Sequence, residues 1–486
     1  MSGSSKLHQQ STEPTESTIA IDRISIHRSE NGFAVPSATP KISWSFSGDA
    51  IDWKQQAYRI EIEDDDGNQV WELKSSSSIH APWPGKPLAV ASPVTLRIQD
   101  QGTDQRWTAP YSIQVERTLA DRSDWSARMI SCPPQEIDRP KNVIYLRKEF
   151  KIPAEVFAGN DDDAARLYIT ACGMYEVEIN GIKIGDQVLA PGWTTFEERH
   201  QFQTYTVGKE LLRPDAVNII GIVIGEGWYA SRLGIFGGKR DMHGSRIGAM
   251  AQLRSRSGED IVVTDDSWKW SEGPIITSEI YDGERYDSTL QDPTWSGGRT
   301  EQAAATPSWN WKPVEVLGDE PKGNLVTDSA PIRVTQMLEP RSKIITPSGK
   351  VILDFEQNLV GWLRVNQNWT GNKPGDELVL RHAEVLENDE LCTVPLRKAK
   401  CTDTIVLGGD IQGYQPKFTF HGFRYVQVDG WRDDFDLSDF TAMVVHRDMR
   451  RTGWFECSHP LINRLHENVV WGMRGNFVGV PTGTHV

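Results

Sequence analysis

The stretch RLYITACGMYEVEINGIKIG, residues 166–185, decides the fold class. Apolar and polar side chains alternate along it with the two-residue period of a β-strand. In INGIKIG, residues 179–185, Asn180-Gly181 supplies two adjacent positions that tolerate positive φ. A two-residue type I′ turn requires both, so the chain is predicted to reverse there as a hairpin. The same alternation recurs in both directions. AYRIEIED (57–64) puts Tyr58, Ile60 and Ile62 on one face and charges on the other. VTLRIQ (94–99), IYLRKEFKI (144–152), NIIGIVIGEGW (218–228), KVILDF (350–355) and DELVLRHAEVL (376–386) behave alike. These runs predict half-buried strands, and helical periodicity is scarce before residue 459. The expected class is all-β, built of stacked sandwiches.

Composition divides the chain. Its 486 residues suggest about three domains. Residues 1–18 are rich in Ser, Thr, Gln and Glu and read as a disordered tail. Residues 19–118 form a first sandwich, in which ISWSF (42–46) and AYRIEI (57–62) suggest a fibronectin III-like layout. LADRSDW (119–125) is a linker, 126–325 a larger jelly-roll-like sandwich, GDEPKGN (318–324) a joint and 326–447 a third sandwich. A short helical segment, 448–486, follows.

Sixty-seven acidic residues against 52 basic ones give a net charge of −15. That balance argues against nucleic-acid partners and against an anionic membrane surface, both of which need a basic face. The first residues lack an apolar signal core and no run approaches a membrane span, so the expected location is cytoplasmic. Five scattered cysteines, at 132, 172, 392, 401 and 457, read as reduced thiols, with Cys392 and Cys401 alone close enough for a local bridge.

HPLINRLHENVVWGMRG, residues 459–475, has the period of a helix. Ser458 is the expected N-cap and Pro460 a first-turn residue. Leu461, Ile462, Leu465, Val469 and Met473 form an apolar stripe. It must dock on the third sandwich, pair two copies as a homodimer, or stay exposed; burying it stabilises by several kcal/mol at roughly 25 cal/mol per Å², so docking or dimerisation is expected.

Six stretches together resemble one family: APGWTTFEERHQFQTYTV (190–207), IGEGWYASRLG (224–234), IYDGERYDSTLQDPTW (280–295), FEQNLVGWLRV (355–365), FTFHGFRYVQVDGW (418–431) and RTGWFECSHPLINRLHENVVWGMRGNFVGVPT (451–482). They are similar to the bacterial-type α-L-rhamnosidases, in the form also found in fungi. The resemblance runs from about residue 19 onward. It implies β-sandwich domains ahead of a large (α/α)6 barrel that carries the chemistry. The family's acidic cluster follows a Val-Pro-Thr segment, in a run resembling Asp-Cys-Pro-Gln-Arg-Asp-Glu-Arg. Here Val480-Pro481-Thr482 is followed by Gly483-Thr484-His485-Val486. The expectation is a rhamnosidase-family chain whose catalytic barrel is absent after its first helix. Inverting hydrolysis needs two carboxyl groups about 6.5–9.5 Å apart, and the matching positions are not in the sequence.

Upstream residues offer other chemistry. Glu226 lies between two glycines beside Trp228, Tyr229 and Arg232. Glycine permits close approach and an aromatic face suits a sugar ring or a flat apolar ligand. Glu226 and His243, on the KRDMHG loop (239–244), are the candidate acid–base groups. Asp282, Glu284 and Asp287 in YDGERYD could hold a cation or sugar hydroxyls; the alternative is turn capping and pairing with Arg285. His421 and Arg424, and His446, Arg447 and Asp448, read as structural links. No Cys/His spacing suits zinc, and no dinucleotide or phosphate loop is present. No cofactor is therefore expected, calcium being the one ion the resemblance allows, through sandwich modules that hold rhamnose.

Three functions remain open. One is a glycosidase-family protein that does not hydrolyse rhamnosides alone. The second is a rhamnose- or carbohydrate-binding protein. The third is a cofactor-independent cyclase or pericyclase of fungal secondary metabolism, holding a flat apolar metabolite by orientation and a few hydrogen bonds.

Overall fold

The computed structural model describes residues 18–27, 29, 31–157, 163–234, 237–297, 309–318, 320–327, 330–369, 371–432 and 434–481. Residues 1–17 of the predicted tail (1–18) and the final residues 482–486, including Thr482 of the Val-Pro-Thr segment, lie outside them. The chain is all-β in class, with the helix Pro460–Asn476 near its end. It divides into two compact units, Met1–Ala120 and Asp121–Val486.

In the first unit, Ala20–Ile26 pairs with Ile42–Ser47. A four-stranded antiparallel sheet runs in the order Gly67–Lys74, Gln55–Asp64, Val94–Gly102, Tyr111–Val115. Burial alternates residue by residue along Val94–Gly102, as the period of two requires. Ile24, Ile26, Ile42, Trp44, Tyr58, Ile60, Leu96 and Ile98 form one apolar cluster between the sheets.

The second unit holds three larger sheets. A six-stranded sheet includes Met174–Ile179, Val217–Gly225 and Ile144–Lys151; a seven-stranded sheet includes Gly248–Ser255, Asp163–Cys172 and Arg199–Gly208. The INGIKIG hairpin forms as predicted: Asn180 and Gly181 have φ of 53° and 84°, and Ile179 faces Ile182. The strands around it are not half-buried, however, because every residue from 165 to 177 is buried. In this sandwich the polar face is covered too. Gly221 shows how: a Cβ there would sit 2.5 Å from the Trp295 ring, and one on Gly225 would sit 2.7 Å from Phe418. The glycines of IIGIVIG let those aromatic rings lie against the strand.

The nine-stranded sheet runs Ile275–Glu279, Gly283–Asp287, Thr402–Val406, Glu377–Ala383, His421–Asp429, Val351–Val365, Phe440–Arg447, Ile332–Leu338, with Ser342–Ile345 pairing Val351–Val365. Its first two strands come from the sequence before the joint at 318–324. Gly283–Asp287 pairs in parallel with Thr402–Val406, so the YDGERYD segment is built into the third sandwich.

The helix starts one residue later than its pattern suggested and is not capped by Ser458. His459 occupies the N-cap without a side-chain hydrogen bond, and Pro460 stands at the first turn. Asn463, inside the helix, ties down the chain that leads into it, accepting from Cys457 N at 2.9 Å and donating to Cys457 O at 2.8 Å. None of the five cysteines forms a disulfide. No helix among the described residues is long and apolar enough to cross a membrane.

Candidate functional site

The residues singled out around GEGWYASR converge, but as a chain of ion pairs. The segment Glu226–Ala230 follows the strand Val217–Gly225, and Arg240 lies on the KRDMHG loop. Arg240 donates to Glu226 Oε1 at 3.2 Å and to Glu279 Oε2 at 2.5 Å. Arg232 donates to Glu279 Oε1 at 3.0 Å and to Asp282 Oδ1 at 2.5 Å, and Lys400 reaches Asp282 Oδ2 at 2.7 Å. The Lys141 backbone N–H donates to Glu226 as well, at 3.2 Å. Glu226 and Glu279 are buried, and charges alternate in sign along the whole seam. Burial, opposed by Arg240 and reinforced by Glu279, pushes Glu226 up to about 7. That value suits a general acid, but Glu226 is 1% exposed with its oxygens directed at Arg240. The seam ties the second sandwich to the hairpin of the third. Glu279 and Arg240 were missed in the sequence because nothing local links residues so far apart.

Trp228 and Tyr229 are each 3% exposed. Trp228 stacks on Trp193 at 6.1 Å and touches Phe420 at 6.0 Å, while Tyr229 meets Phe196 edge-on at 5.3 Å. Their rings are committed to the interior. His243 lies beside Phe196 and meets Glu197 at 3.0 Å near the surface.

The acids of YDGERYD are dispersed. Asp282 belongs to the seam. Glu284 points into the third sandwich, accepting from Ser278 Oγ at 2.9 Å, Tyr414 OH at 3.0 Å and Lys417 N at 3.0 Å; burial raises it to about 7. Asp287 caps a turn by accepting from Thr289 N at 3.0 Å, and Arg285 pairs with Glu377 rather than with its own loop. Each of the three carboxylates is thus held by a different set of partners. Arg424 makes a two-pronged contact with Asp354 at 2.8 and 2.9 Å. His446 meets Thr335 at 2.8 Å, Asp448 pairs with Arg333, and Arg447 donates to Gly479 O at 2.8 Å.

A second group came unannounced. His382, Asp403 and His421 meet in the third sandwich, all fully buried. His421 Nε2 is 3.1 Å from both Asp403 oxygens, and the two imidazoles stack at 4.3 Å. Burial opposes a charge on His421, yet Asp403 raises it to about 10; burial and then the His421 charge lower His382 to about 3.

Two cavities lie away from these groups. One of about 330 Å³ in the second unit is lined by Asn142, Glu272, Trp309, Asn310 and Lys312 together with apolar side chains. Trp309 stands between Trp295 and Trp311 and donates to Leu290 O at 2.9 Å. The other, of about 400 Å³ in the first unit beside Trp53, offers Lys54 as its one charged group.

The class defined by this arrangement is a multidomain β-sandwich scaffold leading into a helical segment. Four family profiles match in succession: the Rha78A-like N-terminal immunoglobulin domain over 21–121, the α-L-rhamnosidase N-terminal domain over 161–336, the bacterial α-L-rhamnosidase concanavalin-like domain over 344–446, and the bacterial α-L-rhamnosidase six-hairpin glycosidase domain over 450–485. The chain belongs to the α-L-rhamnosidase family. It is 33% identical over 488 residues to an α-L-rhamnosidase of Formosa agariphila, covering 92% of this chain and 49% of that protein. A Streptomyces avermitilis α-L-rhamnosidase is 36% identical over 346 residues, covering 70% of this chain and 32% of that one. The crystal structure of the native Aspergillus terreus α-L-rhamnosidase superposes with a TM-score of 0.86 at 40% identity, over 96% of this chain and 53% of that one. The chain thus spans about half or less of the length of these relatives.

Proposed function

We propose that these 486 residues are the β-sandwich portion of an α-L-rhamnosidase together with the first helix of its glycosidase domain, and that they do not hydrolyse rhamnosides by themselves. The observation that carries this is the closed seam, in which arginines take up the buried carboxylates nearest the Trp228 ring. Glycoside hydrolysis needs an acid and a base across an open cleft. The carboxylates near Trp228 instead satisfy Arg240 and Arg232 in a closed seam. The helix supports the same reading: Leu461, Leu465 and Val469 are 73%, 60% and 59% exposed, an apolar face suited to further helices. The test is release of nitrophenol from an aryl α-L-rhamnoside. The purified chain is expected to give none above background, and turnover lost on substituting Glu226 would overturn the proposal.

A second reading is carbohydrate binding in the 330 Å³ cavity. Its volume lies in the range of small-ligand sites, and Trp309 offers a ring face beside the polar groups of Asn142, Glu272 and Lys312. Calorimetric titration with L-rhamnose is expected to show binding that Trp309→Ala abolishes. Absence of heat at millimolar sugar would remove this reading.

A further inference from the structure

Three adjacent strands of the nine-stranded sheet bring metal-ligating side chains to one buried point. His382 lies on Glu377–Ala383, Asp403 on Thr402–Val406 and His421 at the start of His421–Asp429. All three are 0% exposed, and one ligand atom from each lies within 4.8 Å of the other two.

Hydrogen bonds sort the ring nitrogens. His382 Nδ1 is 3.1 Å from the Cys401 carbonyl oxygen, an acceptor, so that nitrogen carries the proton. Its Nε2 is then a bare lone pair, buried and without a hydrogen-bond partner among the described residues. A backbone carbonyl fixing one imidazole nitrogen while the other stays free is the way proteins present histidine to a metal. His421 turns its Nε2 to Asp403, with the Cys401 side chain beside the same ring. Asp403 is held in turn, its Oδ1 accepting from Glu284 N at 2.9 Å. A buried lone pair that faces no donor carries an uncompensated desolvation cost, which a cation removes. Two imidazoles and one carboxylate suit a zinc-type ion; calcium and magnesium ask for an all-oxygen shell.

We propose that His382, Asp403 and His421 form a buried structural site for a divalent transition metal of the zinc type. The ion clamps three strands and, through the Asp403–Glu284 hydrogen bond, fixes the hairpin Ile275–Asp287 to the third sandwich. The sequence hid it because residues 383–402 and 404–420 separate the ligands, so no short Cys/His spacing exists. The site is independent of the glycosidase reading, which can fail while this one stands.

The test is elemental analysis of the chain purified without chelator and dialysed against trace ZnCl₂, joined to melting curves with and without a strong chelator. About one zinc per chain is expected, with a Tm that drops by several degrees on chelation and returns with ZnCl₂. His382→Gln and His421→Gln are expected to lose the metal. Should a variant fail to fold, the chelator experiment on the unaltered chain still decides. Less than a tenth of an equivalent of zinc together with an unmoved Tm would overturn the proposal, leaving a proton shared between Asp403 and His421 in the cation's place. Undiminished zinc in folded His382→Gln would overturn it as well.

Discussion

The hairpin Ile275–Asp287 and the helix Pro460–Asn476 are both additions to the nine-stranded sheet, and they are finished to different degrees. The hairpin is absorbed. Its backbone pairs with Thr402–Val406, and Glu279, Asp282 and Glu284 each meet partners. The helix is attached mainly at its end. Arg447 N donates to Phe477 O at 2.8 Å, Val478 is buried, and Gly479 lies against Trp193 and Trp228. Its apolar face remains in solvent: Leu461, Ile462, Leu465, Val469 and Met473 are all exposed. Where an element arrives with its charges matched, a junction is complete. Where it leaves apolar area uncovered, the surface is made for something else.

That contrast can be broken most severely at the seam. Arg240→Met leaves Glu226 and Glu279 buried and facing each other without their shared cation. A loss of about 3–5 kcal/mol is expected in urea unfolding; a loss below about 1 kcal/mol would show that the seam is not an integral junction.

A carboxylate with no cation sharpens the same point. Asp100 is fully buried in the first unit, with no cation beside it among the described residues and the Trp44 indole as its one polar support. Burial, only partly offset by the Trp44 indole, raises it to about 7. Its folded value is above its unfolded one, so the stability it contributes is full below about pH 4 and is lost as pH rises through about 7. Asp100→Asn is therefore expected to stabilise by on the order of 1–2 kcal/mol at pH 8 and to make little difference at pH 4. Melting at the two pH values checks this, and equal shifts would exclude the titration.

The helix face is expected to give a smaller effect. Leu465→Glu with Val469→Glu changes stability by no more than about 0.5 kcal/mol, because the side chains are already in water. Light scattering is the second readout: if the unaltered chain self-associates through this face, the double variant is expected to be monomeric. The smallest change belongs to His243→Ala, which removes a surface contact with Glu197. Less than about 0.5 kcal/mol is expected.

Much of the fold was legible in the residues. The Asn180-Gly181 turn, the alternation in AYRIEIED and VTLRIQ and the late helix follow from local periodicity and turn chemistry. The family could be read from the stretches quoted. Local pattern was misleading where a second layer intervened. The strand Val217–Gly225 looked half-buried, and Trp295 and Phe418 lie against its glycines, Gly221 and Gly225. The N-cap expected at Ser458 falls instead on His459, which makes no side-chain hydrogen bond there.

The sequence by itself determined the strands, their turns and the apolar stripe of the helix, because each depends on neighbours within a few residues. Only the tertiary structure decided that Glu226, Arg232 and Asp282 form one seam, that Glu284 and Asp287 point elsewhere, and that His382, Asp403 and His421 share a point. Electrostatic and coordination partners are chosen by distance in space, and a sheet brings together strands whose separation along the chain carries no signal.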